Sequence, residues 1–167
     1  MQKITEIAER VSGYFRLISC GKTITLEPTD GDETISKAKK LFNAWIDPDF
    51  QNYGTNVRGQ KTEKTNVEVY ELIKDGDYRK IFGSLSEDPK TLCFTQSQII
   101  QFVKNYREWL HPNHWTFVLF EAKGELFVAE VSLYLDGTLW VDVDRFSDEC
   151  VWSAEYRHRI VVPQLTA

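Results

Sequence analysis

The chain has 167 residues, of which 42% are hydrophobic, and a formal net charge of -5 at pH 7. This length and apolar content suffice for one hydrophobic core, so we predict a single α+β domain over residues 1–167. The acidic balance disfavours a general nucleic-acid binder. No apolar run has the length of a membrane span and the N-terminus lacks the pattern of a signal peptide, so we expect no membrane association.

The N-terminal region is predicted to contain a helix and a hairpin. Apolar residues spaced by three and four predict a short amphipathic helix over residues 3–11. Two β-prone runs then flank Gly21 and Lys22, and a glycine in the first position of a two-residue loop suits a type II′ turn. We therefore predict a β-hairpin over residues 14–28.

The next region is predicted to form a helix followed by a long loop. Asp32 or Thr34 is expected to cap a helix that ends near Ile46, and residues 47–64 are predicted to form a polar loop. In this loop Gln60 separates the glycine from the lysine that a phosphate-binding loop needs side by side. We interpret the segment as a polar loop rather than a nucleotide site.

Capping patterns predict three helical segments before the last third of the chain. Two capping boxes, which begin at Thr65 and Thr95, predict helices over residues 65–75 and 95–110. Asp77 is expected to cap a shorter helical turn between them. The apolar stripe of the later long helix is expected to lie on a β-sheet.

The last third of the chain predicts an antiparallel β-meander packed against these helices. β-branched and aromatic residues fill runs at about 115–121, 126–134, 138–146 and 156–162, and glycines lie in the first two connections. Together with the helices and the N-terminal hairpin, these strands predict the α+β class.

The strand register follows from the apolar alternation. A three-residue loop that ends in Gly137 pairs Val131 with Val141 and makes one face of the sheet apolar, whereas a two-residue loop mixes both faces. The same loop length at the preceding turn pairs Phe117 with Ala129. We adopt three-residue loops at both turns because they place these apolar residues on one common face.

This register gathers three acids on the other face. Glu130 lies opposite Asp142, and Asp144 follows two residues later. Like charges on adjacent strands destabilise a sheet, so a neutralising group is expected. Arg157 and Arg159 are the candidates, because a fourth strand beside the third would bring both guanidinium groups to the acids.

A possible ligand or partner surface lies on the same polar face. The register places Trp140 beside Ser132, with Tyr134 two residues further along the strand, and an exposed tryptophan there suits a binding surface. Arg157 and Arg159 are included in this candidate surface. The leading hypothesis is therefore a non-catalytic ligand- or protein-binding domain, with the binding partner unknown.

The alternative hypothesis is a metal-assisted or acid/base hydrolase. Its weak catalytic candidates are Glu130, Asp142 and Asp144, because carboxylates can ligate Mg²⁺ or transfer protons. The segment from His111 to His114 is interpreted as a helix cap, and His158 as a packed side chain. The sequence predicts no metal site and no cofactor.

The three cysteines bear on the cellular compartment. Cys20, Cys93 and Cys150 are widely spaced and form no Cys-x-x-Cys pair, so neither a zinc knuckle nor a disulfide framework is predicted. Their odd number in a chain with an ample core is typical of a reducing compartment, and we expect a cytoplasmic protein. An unpaired sheet edge is compatible with a homodimer.

Four segments carry a resemblance to other proteins. Residues 46–50, 67–73, 127–145 and 156–163 are similar to a family of uncharacterised bacterial and metagenomic hypothetical proteins. The resemblance covers most of the chain from about residue 35. It implies no activity and assigns no role to any residue.

Overall fold

The computed structural model describes residues 11–165. Within that range the protein contains nine β-strands, which lie in one sheet. The strands are β1 (Val11–Ser12), β2 (Phe15–Leu17), β3 (Ile24–Leu26), β4 (Trp45–Ile46), β5 (Thr65–Leu72), β6 (Thr116–Ala122), β7 (Glu125–Leu133), β8 (Leu139–Arg145) and β9 (Arg159–Pro163).

Three α-helices lie among these strands in the described part of the chain, and short 3-10 turns occur elsewhere. The helices are α1 (Asp49–Asn52), α2 (Tyr78–Gly83) and α3 (Gln96–Asn105). The 3-10 turns are Ile35–Lys37, Pro89–Leu92, Arg107–Trp109 and Ala154–Tyr156.

The predicted α+β class is confirmed, but the sheet is not a plain antiparallel meander. The strands lie in the order β1-β2-β5-β9-β6-β7-β8-β4, and β3 pairs with β5 beside this path. Strands β6 and β9 are parallel, as are β4 and β8, so the sheet is mixed. The outermost strands of this order, β1 and β4, have two residues each and expose few unpaired backbone groups.

The sheet is covered on both faces, and each face has its own core. The α3 face packs against helix α3 and the segments around α1, and the α2 face packs against helix α2. Core residues on the α3 face include Val69, Phe120, Ala129, Val131, Val141 and Phe102. Core residues on the α2 face include Leu72, Phe117, Leu119, Val128, Ile160 and Phe82.

The predicted register between β7 and β8 is confirmed. Val131 lies opposite Val141, and Glu130 lies opposite Asp142. Gly137 has φ +83, so the last residue of the connecting loop adopts the left-handed conformation that the three-residue loop requires. Both acids therefore lie on the α2 face.

The predicted register between β6 and β7 is wrong by one residue. Phe117 lies opposite Glu130 rather than Ala129, because the connecting loop has only two residues. Lys123 and Gly124 have φ 52 and 76, as a type I′ turn requires. Both faces of β6 are buried, so apolar alternation along this strand contains little information about register.

The predicted position of the last strand is also wrong. Strand β9 lies between β5 and β6, far from β8, and begins at residue 159 rather than 156. Arg157 is exposed in a left-handed turn with φ 52. Arg159 donates through Nη1 to backbone oxygens of Trp109 (2.9 Å) and Leu110 (3.2 Å). Neither arginine neutralises the acids.

The helix predicted over residues 65–75 is strand β5 in the structure. Strand β5 lies between other strands of the sheet, and it buries the side chains of Val67, Val69 and Tyr70. β-Branched and aromatic side chains suit this position, and pairing with β9 outweighs the local capping pattern at Thr65.

The hairpin predicted over residues 14–28 is wrong as well. Strands β2 and β3 do not pair with each other; both pair antiparallel with β5, one after the other along its length. Strand β5 has eight residues and each of the two short strands has three, so both fit along the same edge of β5. The helix predicted over residues 3–11 lies outside the described residues except for its last position, which begins β1.

The helix predicted to end near Ile46 is mostly irregular, with a 3-10 turn at its start. Its end forms β4 instead: Ala44 N donates to Leu139 O (3.0 Å), and Asp47 N donates to Val141 O (2.9 Å). Through these hydrogen bonds β4 pairs with the outer edge of β8. Trp45, predicted to be a core residue, is consequently 41% exposed.

The other predicted helices are confirmed. The Asp77 side chain accepts from Lys80 N at the start of α2, which buries Tyr78. Thr95 and Gln98 form the capping box of α3, although the helix ends at residue 105 rather than 110. No helix within residues 11–165 combines the length and the apolar character needed to cross a bilayer.

Candidate functional site

Two of the three acids of β7 and β8, Glu130 and Asp144, meet the hydroxyl group of Tyr78, the first residue of helix α2. Tyr78 Oη contacts Glu130 Oε1, and it lies 3.1 Å from Asp144 Oδ2. Tyr78 is fully buried and Glu130 is 4% exposed. The sequence therefore places a carboxyl group in the core of the α2 face, beneath a helix, rather than on a solvated surface.

The hydrogen bonds of this cluster require a protonated carboxyl group. The Tyr78 hydroxyl has a single proton, so it donates to only one of its two carboxyl partners. The second contact is a hydrogen bond only if a carboxyl group supplies the proton. Burial, together with the adjacent Asp144 carboxylate, raises the pKa of Glu130 to about 10. Glu130 is thus the protonated member at neutral pH.

The third acid lies between two indole rings. Trp45 Nε1 and Trp140 Nε1 both donate to Asp142 Oδ1, at 3.0 and 2.9 Å. Burial raises the pKa of Asp142, as does the neighbouring Asp47, and the indole N–H donors oppose this rise. The carboxylate fixes the orientation of both rings.

A cleft opens on the α2 face beside this cluster. It has a volume of about 410 Å³, which is within the range of small-molecule sites. Strand β7 contributes Ser132 to the cleft. Its walls are mainly aromatic and imidazole rings, and the lining residues used below are His114, Trp115, Trp152, Tyr156 and His158.

The imidazole rings at the cleft are packed against one another. The His114 ring centroid lies 5.8 Å from that of His158 and 4.9 Å from that of His111. His158 Nδ1 accepts from Trp115 N (3.2 Å). A nitrogen that accepts carries no proton, so this ring is neutral. Burial lowers the pKa of His158 to about 4, and the neighbouring histidines contribute to this shift.

The helix-cap role predicted for His111 is wrong, because α3 ends at Asn105 and the imidazole accepts hydrogen bonds instead of donating them to helix carbonyl groups. Its Nδ1 accepts from the backbone N–H groups of Asn113 (3.2 Å) and His114 (3.1 Å). Burial and the positive charge of Arg159 lower the pKa of His111 to about 4. The imidazole therefore stabilises the turn as a hydrogen-bond acceptor rather than as a cation.

Trp152 joins the cleft to the acidic cluster. Its ring centroid lies 5.3 Å from His158, 4.9 Å from Phe117 and 5.8 Å from Tyr78. The Trp152 indole N–H is buried and has no hydrogen-bond acceptor among residues 11–165. A buried donor without an acceptor is costly, on the order of 1–3 kcal/mol.

A close backbone contact holds Trp152 in place. Its backbone N donates to Gly76 O (2.9 Å), and Gly76 N donates to Trp152 O (3.2 Å). A Cβ atom at position 76 would lie 2.9 Å from Ile81 and from Tyr14, so a larger residue does not fit. Glycine at this position therefore leaves room for the side chains of Ile81 and Tyr14.

The structure brings together some of the predicted site residues and separates others. Glu130, Asp142 and Asp144 do share the α2 face, as predicted. Ser132 lines the cleft. Four candidates lie elsewhere: Trp140 and Tyr134 pack against each other beside the cleft, and Arg157 and Arg159 do not reach the acids.

Sequence reasoning missed Tyr78, Trp152 and Trp45. A tyrosine in a fully buried position usually needs a partner for its hydroxyl group, and this is the sequence signal that could have found Tyr78. Trp152 lies in an irregular segment, so no sequence signal places it at the cleft. Trp45 lies in the region predicted to be a helix, and its position beside Trp140 depends on the pairing of β4 with β8.

The described residues do not form a metal centre of ordinary composition. Within residues 11–165 no group of three or more histidine, cysteine, aspartate or glutamate side chains has an arrangement that could hold a metal ion. The acids of the cluster instead hydrogen-bond to tyrosine and tryptophan. The arrangement can hold a proton and can accept or donate hydrogen bonds.

No protein-family model, no curated protein and no solved structure matches the chain. The resemblance to uncharacterised bacterial and metagenomic proteins therefore stays a prediction. Functional proposals for this protein depend on its own geometry.

Proposed function

We propose that the protein is a non-catalytic binding domain whose cleft takes a small, neutral ligand with an aromatic ring and a hydrogen-bond acceptor. The observation that carries this proposal is the buried Trp152 indole N–H, which has no acceptor among the described residues. A rotation of the buried Trp152 ring toward the cleft would let the carbonyl oxygen of a ligand satisfy it. Unpaired buried donors in native structures call for such an explanation.

The shape and lining of the cleft support an aromatic ligand. Flat side chains, including Trp115, Trp152 and Tyr156, surround a volume of about 410 Å³. Such rings stack on planar ligands, whereas Ser132 and Asn113 offer polar groups at the rim. The walls thus favour a planar ligand with polar atoms at its periphery.

The electrostatics of the cleft support a neutral ligand. His158 accepts a backbone hydrogen bond and His111 accepts two, so neither ring is a cation at neutral pH. None of the lysine and arginine residues between positions 11 and 165 lines the cleft. An anionic ligand would therefore lose its hydration without gaining an ionic partner, which is unfavourable.

Titration with benzamide and a panel of neutral aromatic amides and ketones tests the proposal. We expect saturable binding that shifts the Trp152 indole N–H resonance in ¹H–¹⁵N spectra. Trp152→Phe keeps a ring but removes the donor, so it should weaken binding about tenfold. Trp109→Phe, which changes an indole outside the cleft, is the matched control and should leave the affinity unchanged.

Two results would contradict the proposal. One is a panel in which no compound shifts the Trp152 resonance. The other is binding that Trp152→Phe and Trp109→Phe affect equally, because the indole N–H would then play no part in recognition.

One observation favours a second candidate function, an acid/base hydrolase. Glu130 is protonated at neutral pH, as a general acid must be. Its carboxyl group is nevertheless covered by Tyr78, and the Phe117 residue lies directly opposite it on the neighbouring strand. Hydrolysis of chromogenic esters or glycosides, with and without Mn²⁺, that is abolished in Glu130→Gln would favour this alternative.

A further inference from the structure

Three aromatic residues form a row across the end of the sheet, beside the cleft but outside it. Tyr134 follows β7, Trp140 lies on β8 and Trp45 lies on β4, so the rings come from three adjacent parts of the sheet. The ring centroids of Trp45 and Trp140 lie 5.3 Å apart, and those of Tyr134 and Trp140 lie 6.0 Å apart. We call these residues the aromatic row.

The aromatic row is accessible from solvent. Trp45 is 41% exposed and Tyr134 is 44% exposed, and Trp140 between them is partly buried. Tyr134 stands at 87° to Trp140, whereas Trp45 is tilted from Trp140 by 35°. The perpendicular pair forms a corner between two rings rather than a flat surface.

The rings of the row are held in place before any ligand arrives. Both tryptophan N–H groups donate to the same oxygen of Asp142. Trp45 is also paired with Trp140 in the parallel β4–β8 ladder. Binding would therefore require little ordering of side chains, which reduces its entropic cost.

The charge around the row is negative. Asp142 lies beneath the two indole rings, and Asp47 and Asp144 act on its charge. None of the ion pairs among residues 11–165 involves these three acids, since those pairs are Arg16 with Glu71, Arg58 with Asp32, and Arg145 with Glu125. Their negative charge has no ionic partner on the described part of the protein.

Aromatic faces and carboxylates both attract cations. The face of an aromatic ring carries negative electrostatic potential, and tryptophan interacts most strongly with an organic cation. A cation with an apolar surface also gains from burial against the rings. The described acids do not form a metal centre, so an inorganic ion lacks ligands here.

From this geometry we propose that the aromatic row and Asp142 form a second site that binds a small quaternary ammonium compound. The cation lies against Trp45, Trp140 and Tyr134, and the Asp142 carboxylate provides the opposite charge. This site is independent of the ligand proposed for the cleft, so either proposal can fail without the other.

Choline and its neutral isostere 3,3-dimethylbutan-1-ol test the proposal on the full chain. The two probes have nearly the same shape, and only choline carries a charge. We expect choline to shift the indole N–H resonances of Trp45 and Trp140 saturably, with an affinity at least about fivefold higher than that of the isostere. Added salt should weaken choline binding, because it screens the carboxylate.

Variants separate the contributions of rings and charge. Asp142→Asn keeps an oxygen that accepts from both indoles but removes the charge, so choline binding should weaken about fivefold. Trp45→Ala should weaken it by at least as much. Trp45→Phe keeps a ring on β4 and should weaken it less, which controls for any loss of β4 pairing. Tyr156→Ala, at the cleft, should leave it unchanged.

Three outcomes would overturn the proposal. Equal binding of choline and the neutral isostere would show that the row recognises apolar shape alone. Binding of methyl glucoside without binding of choline would assign the row to a neutral sugar. Choline binding that Tyr156→Ala weakens and Trp45→Ala does not would place the cation in the cleft.

Discussion

The two faces of the sheet are built from the same strands but differ in what they bury. On the α3 face Val131 pairs with Val141 and Ala129 pairs with Val143, and all four side chains are buried. On the α2 face the same strands present Glu130 and Asp142 as a pair. A buried acid is destabilising, so one apolar face provides the stability that allows the other to carry polar groups.

The difference between the faces is also one of hydrogen bonding. The core of the α3 face is a cluster of hydrophobic residues, and the dispersion and hydrophobic effects hold it. Its buried polar side chains are paired: Gln96 Oε1 accepts from Ile35 N (3.0 Å), and Gln96 Nε2 donates to Thr55 O (2.6 Å). On the α2 face the Tyr78 hydroxyl group lies between two carboxyl groups, and the Trp152 indole N–H has no acceptor among the described residues. The polar groups of the α2 face are therefore the less completely paired.

The largest effect is expected from a cavity in the α3 face. Phe120 is fully buried and stacks with Phe50 and Phe127, at centroid distances of 6.3 and 5.7 Å. Phe120→Ala should lower the free energy of unfolding by about 3–5 kcal/mol in urea denaturation. A loss below about 1 kcal/mol would mean that this face does not dominate stability.

A gain in stability is expected from the α2 face. The pKa of Glu130 is about 10 in the folded protein and ordinarily 4.5. Between these values the unfolded chain releases a proton that the folded chain keeps, so wild-type stability falls as pH rises. Glu130→Gln cannot ionise and should be more stable than wild type at pH 8, by about 1–3 kcal/mol.

Glu125→Gln is the matched control for this variant. Glu125 is an exposed acid on the same strand, and its ion pair with Arg145 lies at the surface. The change should alter stability by less than about 1 kcal/mol. Equal effects of the two substitutions at pH 8, or a loss of stability in Glu130→Gln, would contradict the buried position of the Glu130 proton.

Two histidines make the stability of the protein fall as the pH is lowered, which is the opposite of the effect of Glu130. The pKa of His158 is lowered to about 4, whereas the unfolded value is about 6.5. The neutral His158 ring stabilises the folded protein fully above pH 6.5, and this stabilisation is lost as the pH falls from about 6.5 to about 4. Thermal denaturation should show this decline, to which His111 also contributes.

His158→Asn tests the contribution of this ring. The Asn oxygen can accept from Trp115 N but does not take up a proton in this range. The variant should lose about 1–2 kcal/mol at pH 7 because the ring contacts disappear. Its stability should fall less steeply than that of wild type between pH 6.5 and 4. An unchanged slope would mean that His158 takes up its proton over the same pH range in the folded and the unfolded protein.

The smallest effect is expected at the start of helix α3. Thr95 accepts from Gln98 N (3.2 Å), and Gln98 Oε1 accepts from Thr95 N (2.9 Å). Thr95→Ala removes one of these hydrogen bonds and should cost about 1 kcal/mol in urea denaturation. A change within experimental error would show that packing against the α3 face fixes this helix end without the cap.

Local patterns predicted the structure where a single residue or motif determines the geometry. Gly137 has a left-handed conformation, and it fixes the loop and the register between β7 and β8. The capping box at Thr95 likewise fixes the start of α3. The shared face of Glu130 and Asp142 followed from that register, so the acidic part of the site could be derived from the sequence.

Long-range pairing determined the elements that were predicted wrongly. Thr65 begins a capping pattern, yet β9 and the two short N-terminal strands pair with this segment and make it a strand. Strand β6 is buried on both faces, so its alternation did not reveal the loop of two residues. The approach of Trp152 to Gly76 joins segments 76 residues apart, and no local signal contains it.

The proton of Glu130 tests most directly the claim that the α2 face buries a neutral carboxyl group. Its side-chain carboxyl carbon can be followed by ¹³C NMR as pH is raised. We predict that Glu130 stays protonated at pH 7 and titrates near pH 10. Titration of Glu130 near its ordinary value of 4.5 would contradict the account.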